Sequence, residues 1–265
     1  MSALRPVTVI TGASAGIGVE LARVFARNGH ELVLVARREQ RMRELAEEIA
    51  ATDAAKPIVI VADLAHVPAR TVGEMLAAQG AEPQYMVNNA GFGLVGTAAG
   101  LDRAEQLGMI DLNVRALTDY SLAFVDSLAR HKGGLLNVAS VAAFLPGPGM
   151  AVYYATKAYV LSFSEALSSE LRSRGVRVTT LCPGPVQTEF AERAGIVGNI
   201  APPILAQPAD YVAEQGYRGL MRGQRVVIPG VANKITAFMA RLVPHAILLA
   251  AVGARQSRRR SARDT

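Results

Sequence analysis

The sequence predicts a doubly wound α/β fold, a seven-stranded parallel sheet with helices on both faces, in a single domain. Three observations predict it. Short β-branched runs recur along the 265 residues, and longer stretches with apolar residues at three- and four-residue spacing separate them. The short runs are apolar throughout rather than alternating, as in strands covered on both sides. Strands separated by helices need crossover connections, which run parallel.

The first strand falls at 7–11, ahead of a helix at 18–28 with apolar residues at three- and four-residue spacing. The second, at 31–36, leads into a helix at 39–50 in which Met42, Leu45 and Ile49 form the apolar stripe. Further strands are read at 58–62, 85–88, 135–139, 176–181 and 225–228, with a long helix at 152–171 before the sixth. A hydrophobic fraction of 51% is ample for one continuous core and excludes disorder as the dominant state. There is no internal repeat, no Pro- or Ser-rich linker and no composition step before residue 255. One domain over 1–254 and a basic, disordered tail over 255–265 are therefore expected.

Cysteine usage and charge exclude several classes. The single cysteine, Cys182, rules out an intramolecular disulfide, and neither it nor the four histidines show metal-ligand spacing, so no metal is expected. The apolar run at 7–10 is too short for a secretory signal, and a cytoplasmic protein is expected. The net charge is +6, but Arg255, Arg258, Arg259, Arg260 and Arg263 against Asp264 place four of those charges on the tail. The body has no strong basic bias, which argues against nucleic acid as a partner.

The first strand runs into Thr11-Gly12-Ala13-Ser14-Ala15-Gly16-Ile17-Gly18 and then directly into a helix. Glycines there let the backbone turn tightly and let a pyrophosphate approach the helix amino end, whose free N–H groups and dipole favour anions. The second strand ends in Ala36-Arg37-Arg38, where an acidic residue would otherwise hold a ribose 2′-hydroxyl. Two guanidiniums suit a 2′-phosphate instead, so the expected cofactor is NADP(H).

A hydride reaction at a carbonyl or alcohol carbon needs a proton-exchanging group, a donor on the oxygen and a nicotinamide. Tyr153 and Lys157 are four apart on a predicted helix and share a face, so the ammonium is expected to lower the phenol pKa toward neutrality. Ser140 lies thirteen positions before Tyr153, just past the fifth strand.

With these residues in hand, the chain resembles the short-chain dehydrogenase/reductase family from residue 7 to about 190. The resemblance rests on the loop Thr11 to Gly18, the segment Asn88-Asn89-Ala90-Gly91, the tetrad Asn113, Ser140, Tyr153 and Lys157, and the turn Pro183-Gly184 followed by Thr188. It implies a Rossmann fold in which Tyr153 is the general acid/base and Lys157 tunes it and binds the nicotinamide ribose. It implies that Ser140 polarises the substrate oxygen and Asn113 holds a water in a proton relay. The cofactor would meet Gly12, Ser14, Gly16, Ile17 and Gly18, then Arg37 and Arg38, with Asp63 and Leu64 bordering the adenine. Asn89, Ala90 and Gly91 would line it from the fourth strand. Pro183, Gly184, Val186 and Thr188 would hold the nicotinamide end. A homodimer or homotetramer through the helices carrying Asn113 and Tyr153 is also implied. The family pattern selects Tyr153 over its neighbour Tyr154.

Phe144, Leu145, Met150, Phe190, Ile196, Val197, Ile200, Ile204 and Leu205 make the strand-end segments apolar, suiting a hydrophobic ketone, aldehyde or acyl chain. The nearly continuous apolar stretch 235–254 is broken by Arg241, Pro244 and His245, which leaves a clean run only at 246–254, too short to span a bilayer. With the arginine tail it suits peripheral contact with an anionic membrane through 235–265. Subunit contact or core packing with a solvated tail is the preferred alternative. The function expected is NADP(H)-dependent carbonyl/alcohol oxidoreduction; the alternatives are a non-catalytic NADP(H) sensor or scaffold, and a tail that binds nucleic acid.

Overall fold

The computed structural model describes residues 4–190, 194, 202–244, 246–250 and 252. The tail at 255–265 and the substrate-side residues Ile196, Val197 and Ile200 lie outside the described residues.

Seven parallel strands form one sheet in the order β3-β2-β1-β4-β5-β6-β7. They are β1 (Arg5–Thr11), β2 (Leu32–Ala36), β3 (Ile58–Val61), β4 (Ala81–Asn88), β5 (Gly134–Val138), β6 (Arg177–Leu181) and β7 (Val226–Val227). β1 and β4 begin earlier than their apolar runs because each contains a proline that reads as a breaker. Pro6 pairs opposite Glu82 and Val7 opposite Pro83, and the register shifts between Val7 and Thr8. An irregularity at that point lets the ladder tolerate residues without an N–H donor.

The helices that flank the sheet include α1 (Ile17–Arg27), α2 (Glu39–Ala50), α3 (Ala69–Ala77), α4 (Arg103–Ile110), α5 (Leu117–Ala123), α6 (Val125–Arg130), α7 (Ala151–Glu170), α8 (Ala209–Met221) and α9 (Val231–Leu242). Successive strand residues serve opposite cores. Ile10, Leu34, Val87 and Leu136 pack with Leu21, Phe25, Met42 and Leu220 from α1, α2 and α8. Val9, Val33, Met86 and Leu135 pack with Leu76, Tyr120, Leu128 and Leu167 from α3, α5, α6 and α7. This period of two is the physical reason the strands are apolar on every residue.

Two features of the fold position the site. Strand order reverses at β1, which has β2 on one side and β4 on the other, so the connections diverge and open a crevice at the strands' carboxyl ends. A buried polar chain then locks the crevice walls together. Asn88 Nδ2 donates to Ser121 Oγ at 2.9 Å and Asn137 Oδ1 at 2.8 Å, and Asn137 Nδ2 donates to Ser164 Oγ at 2.9 Å. Asn88, the last residue of β4, thus has a structural place.

Candidate active site

The glycine loop is clamped to the end of β4. Thr11 Oγ1 donates to the Val87 carbonyl at 3.1 Å and accepts from the N–H groups of Asn89 and Ala90 at 3.0 and 3.1 Å. Asn89 Nδ2 donates to the carbonyls of Thr11 and Gly12 at 2.9 and 3.3 Å. Gly12 and Gly16 adopt φ of 65° and 53°, the left-handed region that disfavours a side chain. At Gly18 a Cβ would lie 2.3 Å from the Gly12 carbonyl oxygen, so this glycine serves close packing behind the loop. Gly18→Ala is expected to cost about 1–3 kcal/mol, as overpacking does, and to weaken nucleotide binding in proportion. Thermal melting with and without NADPH checks this.

The loop, the amino end of α1 and the strand ends enclose a cleft of ≈ 680 Å³. Every nucleotide-side residue named from the sequence lines it except Gly18, and of the proton-transfer candidates Ser140, Tyr153 and Lys157 line it. Asn113 stands behind the wall. It lies in a π-helical turn, Asp111–Ala116, between α4 and α5. There it donates from Nδ2 to the Phe92 carbonyl and Thr156 Oγ1 at 2.9 and 3.1 Å, and its Oδ1 accepts from Phe92 N at 3.1 Å. Thr156 is a partner that the sequence does not mark. Gly91 is the gap between Asn113 and Lys157: a Cβ there would sit 2.9 Å from Asn113 Oδ1 and 3.6 Å from Lys157 Nζ.

At the far end of β2, Arg38 is already engaged. Its Nε donates to Ser14 Oγ at 3.2 Å, its Nη2 to the Ser14 carbonyl at 3.1 Å and its Nη1 to Glu189 Oε2 at 2.6 Å. Arg41 meets the other Glu189 oxygen at 3.4 Å, and Arg37 lies 3.7 Å from Asp63. Arg38 beside it holds the Glu189 carboxyl below the usual carboxylate range. Glu189 carries no local sequence signal, since it meets Arg38 across a separation of 151 positions.

The opposite end holds Ser140, Tyr153 and Lys157. Ser140 precedes the 3-10 turn Val141–Phe144, where its Oγ accepts from Ala142 N at 3.1 Å. Tyr153 and Lys157 share a face of α7 and are 9% and 6% exposed. Lys157 Nζ donates to the Val138 carbonyl at 2.8 Å and lies 5.9 Å from the Tyr153 ring centroid. Burial pushes the Tyr153 phenol up, with the Ser140 hydroxyl hydrogen bond opposing, and burial pushes Lys157 down to about 8. The expected lowering of the phenol pKa is thus not what the free chain displays. The ammonium is aimed at a backbone carbonyl, and desolvation of the phenolate outweighs it. Tyr154 lies against Gly147, where a Cβ would fall 2.1 Å from the Tyr154 ring.

Leu145, Met150, Phe190 and Leu205 line this end of the cleft, with the Phe190 ring 5.5 Å from that of Tyr153. Two apolar expectations are corrected: Ile204 is exposed and outside the lining, and Phe144 lies under the Arg241 guanidinium at 5.3 Å rather than in the cleft. Cys182 is buried, its thiol pushed up to about 12, as suits a packing residue. Among the described residues no cluster of acidic, histidine or cysteine side chains could hold a metal ion.

The residues present fit a nicotinamide dinucleotide. Bare backbone faces the place for a pyrophosphate, and the start of α1 has no side-chain cap to occupy its free N–H groups. Comparison with known proteins agrees. Residues 6–195 match the family described as short chain dehydrogenase. Sulfoacetaldehyde reductase 2 of Chromohalobacter salexigens is 38% identical over 188 residues, 69% of this chain and 74% of that protein. A short-chain dehydrogenase from Sphingobium yanoikuyae, solved in complex with NADPH, superposes with a TM-score of 0.79 at 34% identity, covering 89% of this chain and 93% of that one. The bulky-bulky ketone specific alcohol dehydrogenase of Comamonas testosteroni follows at 0.74 and 29%, with 91% and 93% covered. A seven-stranded parallel sheet, a glycine-loop cleft and a match over most of the chain converge on one conclusion: this protein is an oxidoreductase of the short-chain dehydrogenase family.

Proposed function

We propose that the protein is an NADP(H)-dependent oxidoreductase that interconverts a bulky apolar ketone or aldehyde and its alcohol. The observation that carries this reading is the meeting of Ser140, Tyr153 and Lys157 at one end of a cleft whose other end presents Arg37 and Arg38. When bound, the nicotinamide supplies or accepts the hydride. The chain's own part is the proton. Tyr153 gives its phenolic proton to the carbonyl oxygen as the alcohol forms, and takes it back in the reverse direction. Ser140 donates a hydrogen bond to the same oxygen, where negative charge develops. Lys157 holds the nicotinamide ribose and supplies positive charge near the phenol. Asn113, set behind the Gly91 gap, holds a water of the proton relay that reaches Lys157. Thr188, packed on Gly16, and the backbone near Val186 orient the carboxamide. Asp63 and Leu64 border the adenine.

Apolar lining by Leu145, Met150, Phe190 and Leu205 supports a hydrophobic substrate, and the absence of an acceptor after β2 supports the 2′-phosphate. The test is initial rates of NADPH and NADH oxidation across small polar, aromatic, steroid and long-chain carbonyls. NADPH with a bulky apolar carbonyl should give the highest kcat/KM; equal rates for every substrate size would overturn the substrate class. A sensor or scaffold has no physical need to bury a lysine beside a tyrosine, which argues for turnover. The reading takes the protein as cytoplasmic and its partner as a small molecule rather than nucleic acid. The exposed Leu107, Ile110, Leu122 and Tyr159 on α4, α5 and α7 support self-association through that face, as a homodimer or homotetramer. The whole of 1–254 acts as the catalytic domain, with 255–265 as an appended tail.

Lys157 also makes a stability prediction. A buried ammonium with its pKa depressed destabilises the folded chain while charged. Lys157→Met is therefore expected to end turnover yet raise the melting midpoint at pH 7, by about 2–4 °C for each kcal/mol released. Wild type folds with the lysine depressed to about 8, so its unfolded state binds more protons above that pH. Wild-type stability recovers as pH rises from 8 toward the ordinary lysine value, and the advantage of the variant should shrink there. Melting curves across that range measure it.

A further inference from the structure

Helix α9 (Val231–Leu242) turns its small side inward and its large side out. Asn233, Ala237 and Ala240 are buried, and Asn233 Nδ2 donates to the carbonyls of Leu205 and Pro229 at 3.0 and 2.8 Å. Val231, Ile235, Phe238, Met239 and Leu242 are between 47% and 72% exposed. At 100° per residue these five form one continuous stripe. Beyond Pro244, Ile247 and Leu249 extend the exposed apolar surface. Lys234 and Arg241, seven apart, lie together along one edge of the stripe and are also exposed.

The sequence that carries this surface has charge of one sign. Between Glu214 and Asp264 there is no acidic residue, while Arg218, Arg222, Arg225, Lys234 and Arg241 precede the five arginines of 255–265. We infer that α9 and the segment after it dock the protein on a membrane surface containing anionic lipid, with the apolar stripe entering the acyl boundary and the cations meeting phosphates. Interfacial helices have this construction, a large apolar face bordered by lysine and arginine. A second copy fits less well. An antiparallel pairing of two such faces would oppose cations to cations, and the separate apolar face on α4, α5 and α7 is available for self-association. Nucleic acid would use the arginines but leave the stripe in water. Among the described residues no helix is long and apolar enough to cross a bilayer, so the inference is of docking at the surface. Thr236 and Val252 line the cleft, so the docked surface borders its mouth.

Docking is independent of the proposed chemistry and is tested without turnover. The full chain is mixed with vesicles of phosphatidylcholine alone, or of phosphatidylcholine and phosphatidylglycerol in equal parts, and floated on a density gradient. Recovery with the anionic vesicles is expected, falling at least tenfold in the double variant Phe238→Asp, Leu242→Asp and falling also in high salt. NADPH binding followed by fluorescence should be unchanged in that variant, which shows that it is folded. Absence of binding to anionic vesicles overturns the inference, as does equal recovery of variant and parent, which would assign any binding to the tail alone. Conversion of an oligomer to a monomer by the same variant without vesicles would assign the face to a second copy instead.

Discussion

Tyr153→Phe is expected to lower kcat for carbonyl reduction by about 10²–10⁴-fold, the range attributed to a positioned general acid, while the NADPH Kd stays within about twofold. The substitution removes one oxygen and leaves the ring. The contacts of that ring with Phe190 at 5.5 Å and Tyr154 at 6.1 Å persist, so the cleft keeps its shape. Burial keeps the phenol protonated well beyond neutral pH, the state an acid needs in the reductive direction. The ionisation nearest neutrality in the set is then that of Lys157. Its cation is present below about 8 and lost above, so kcat/KM for reduction should fall as pH rises through that value. Stopped-flow binding and steady-state turnover separate the two effects. Turnover retained in Tyr153→Phe would remove the phenol from the mechanism, and loss of NADPH binding would make it a structural residue.

Local chemistry was legible in the sequence wherever it depends on spacing. The glycine loop, the Tyr153–Lys157 pair and the two arginines after β2 are each set by a few consecutive residues at a strand end or on one helical face. Features that depend on the two-sided context of a residue were not. The apolar stretch from 235 reads as core or contact surface by composition, and only the packing reveals that Ala237 and Ala240 take the inner face. Their small size lets α9 lie close on the chain beneath, which leaves Phe238 and Leu242 outside. Pro6 and Pro83 concealed the starts of β1 and β4 because proline forbids a regular ladder, whereas the fold uses an irregular one. The π-helical turn that sets Asn113 back from the cleft likewise depends on how α4 and α5 join, which periodicity at this length does not resolve.

Glu189 is the residue with the most to change about cofactor choice. In the free chain its carboxylate engages Arg41 and also Arg38, the guanidinium proposed to meet a 2′-phosphate. Arg38→Ala is expected to remove charge-assisted hydrogen bonds of about 1.5–3 kcal/mol, hence to weaken NADPH by about 10- to 150-fold. NADH should change little, because it offers no phosphate at that position. Glu189→Gln should act in the opposite direction. The amide keeps the size of the side chain but withdraws the competing charge, so NADPH tightens severalfold and NADH does not. Since Arg38 holds the Glu189 carboxyl below its usual range, the competition should persist across neutral pH and fade only in acid, as that carboxylate is protonated. Titration calorimetry with 2′,5′-ADP against 5′-AMP isolates the effect from turnover and from the nicotinamide. Weaker binding of both nucleotides by Arg38→Ala would place selectivity elsewhere. Weaker 2′,5′-ADP binding by Glu189→Gln would make the carboxylate a support that orients Arg38 for the phosphate rather than a rival for it.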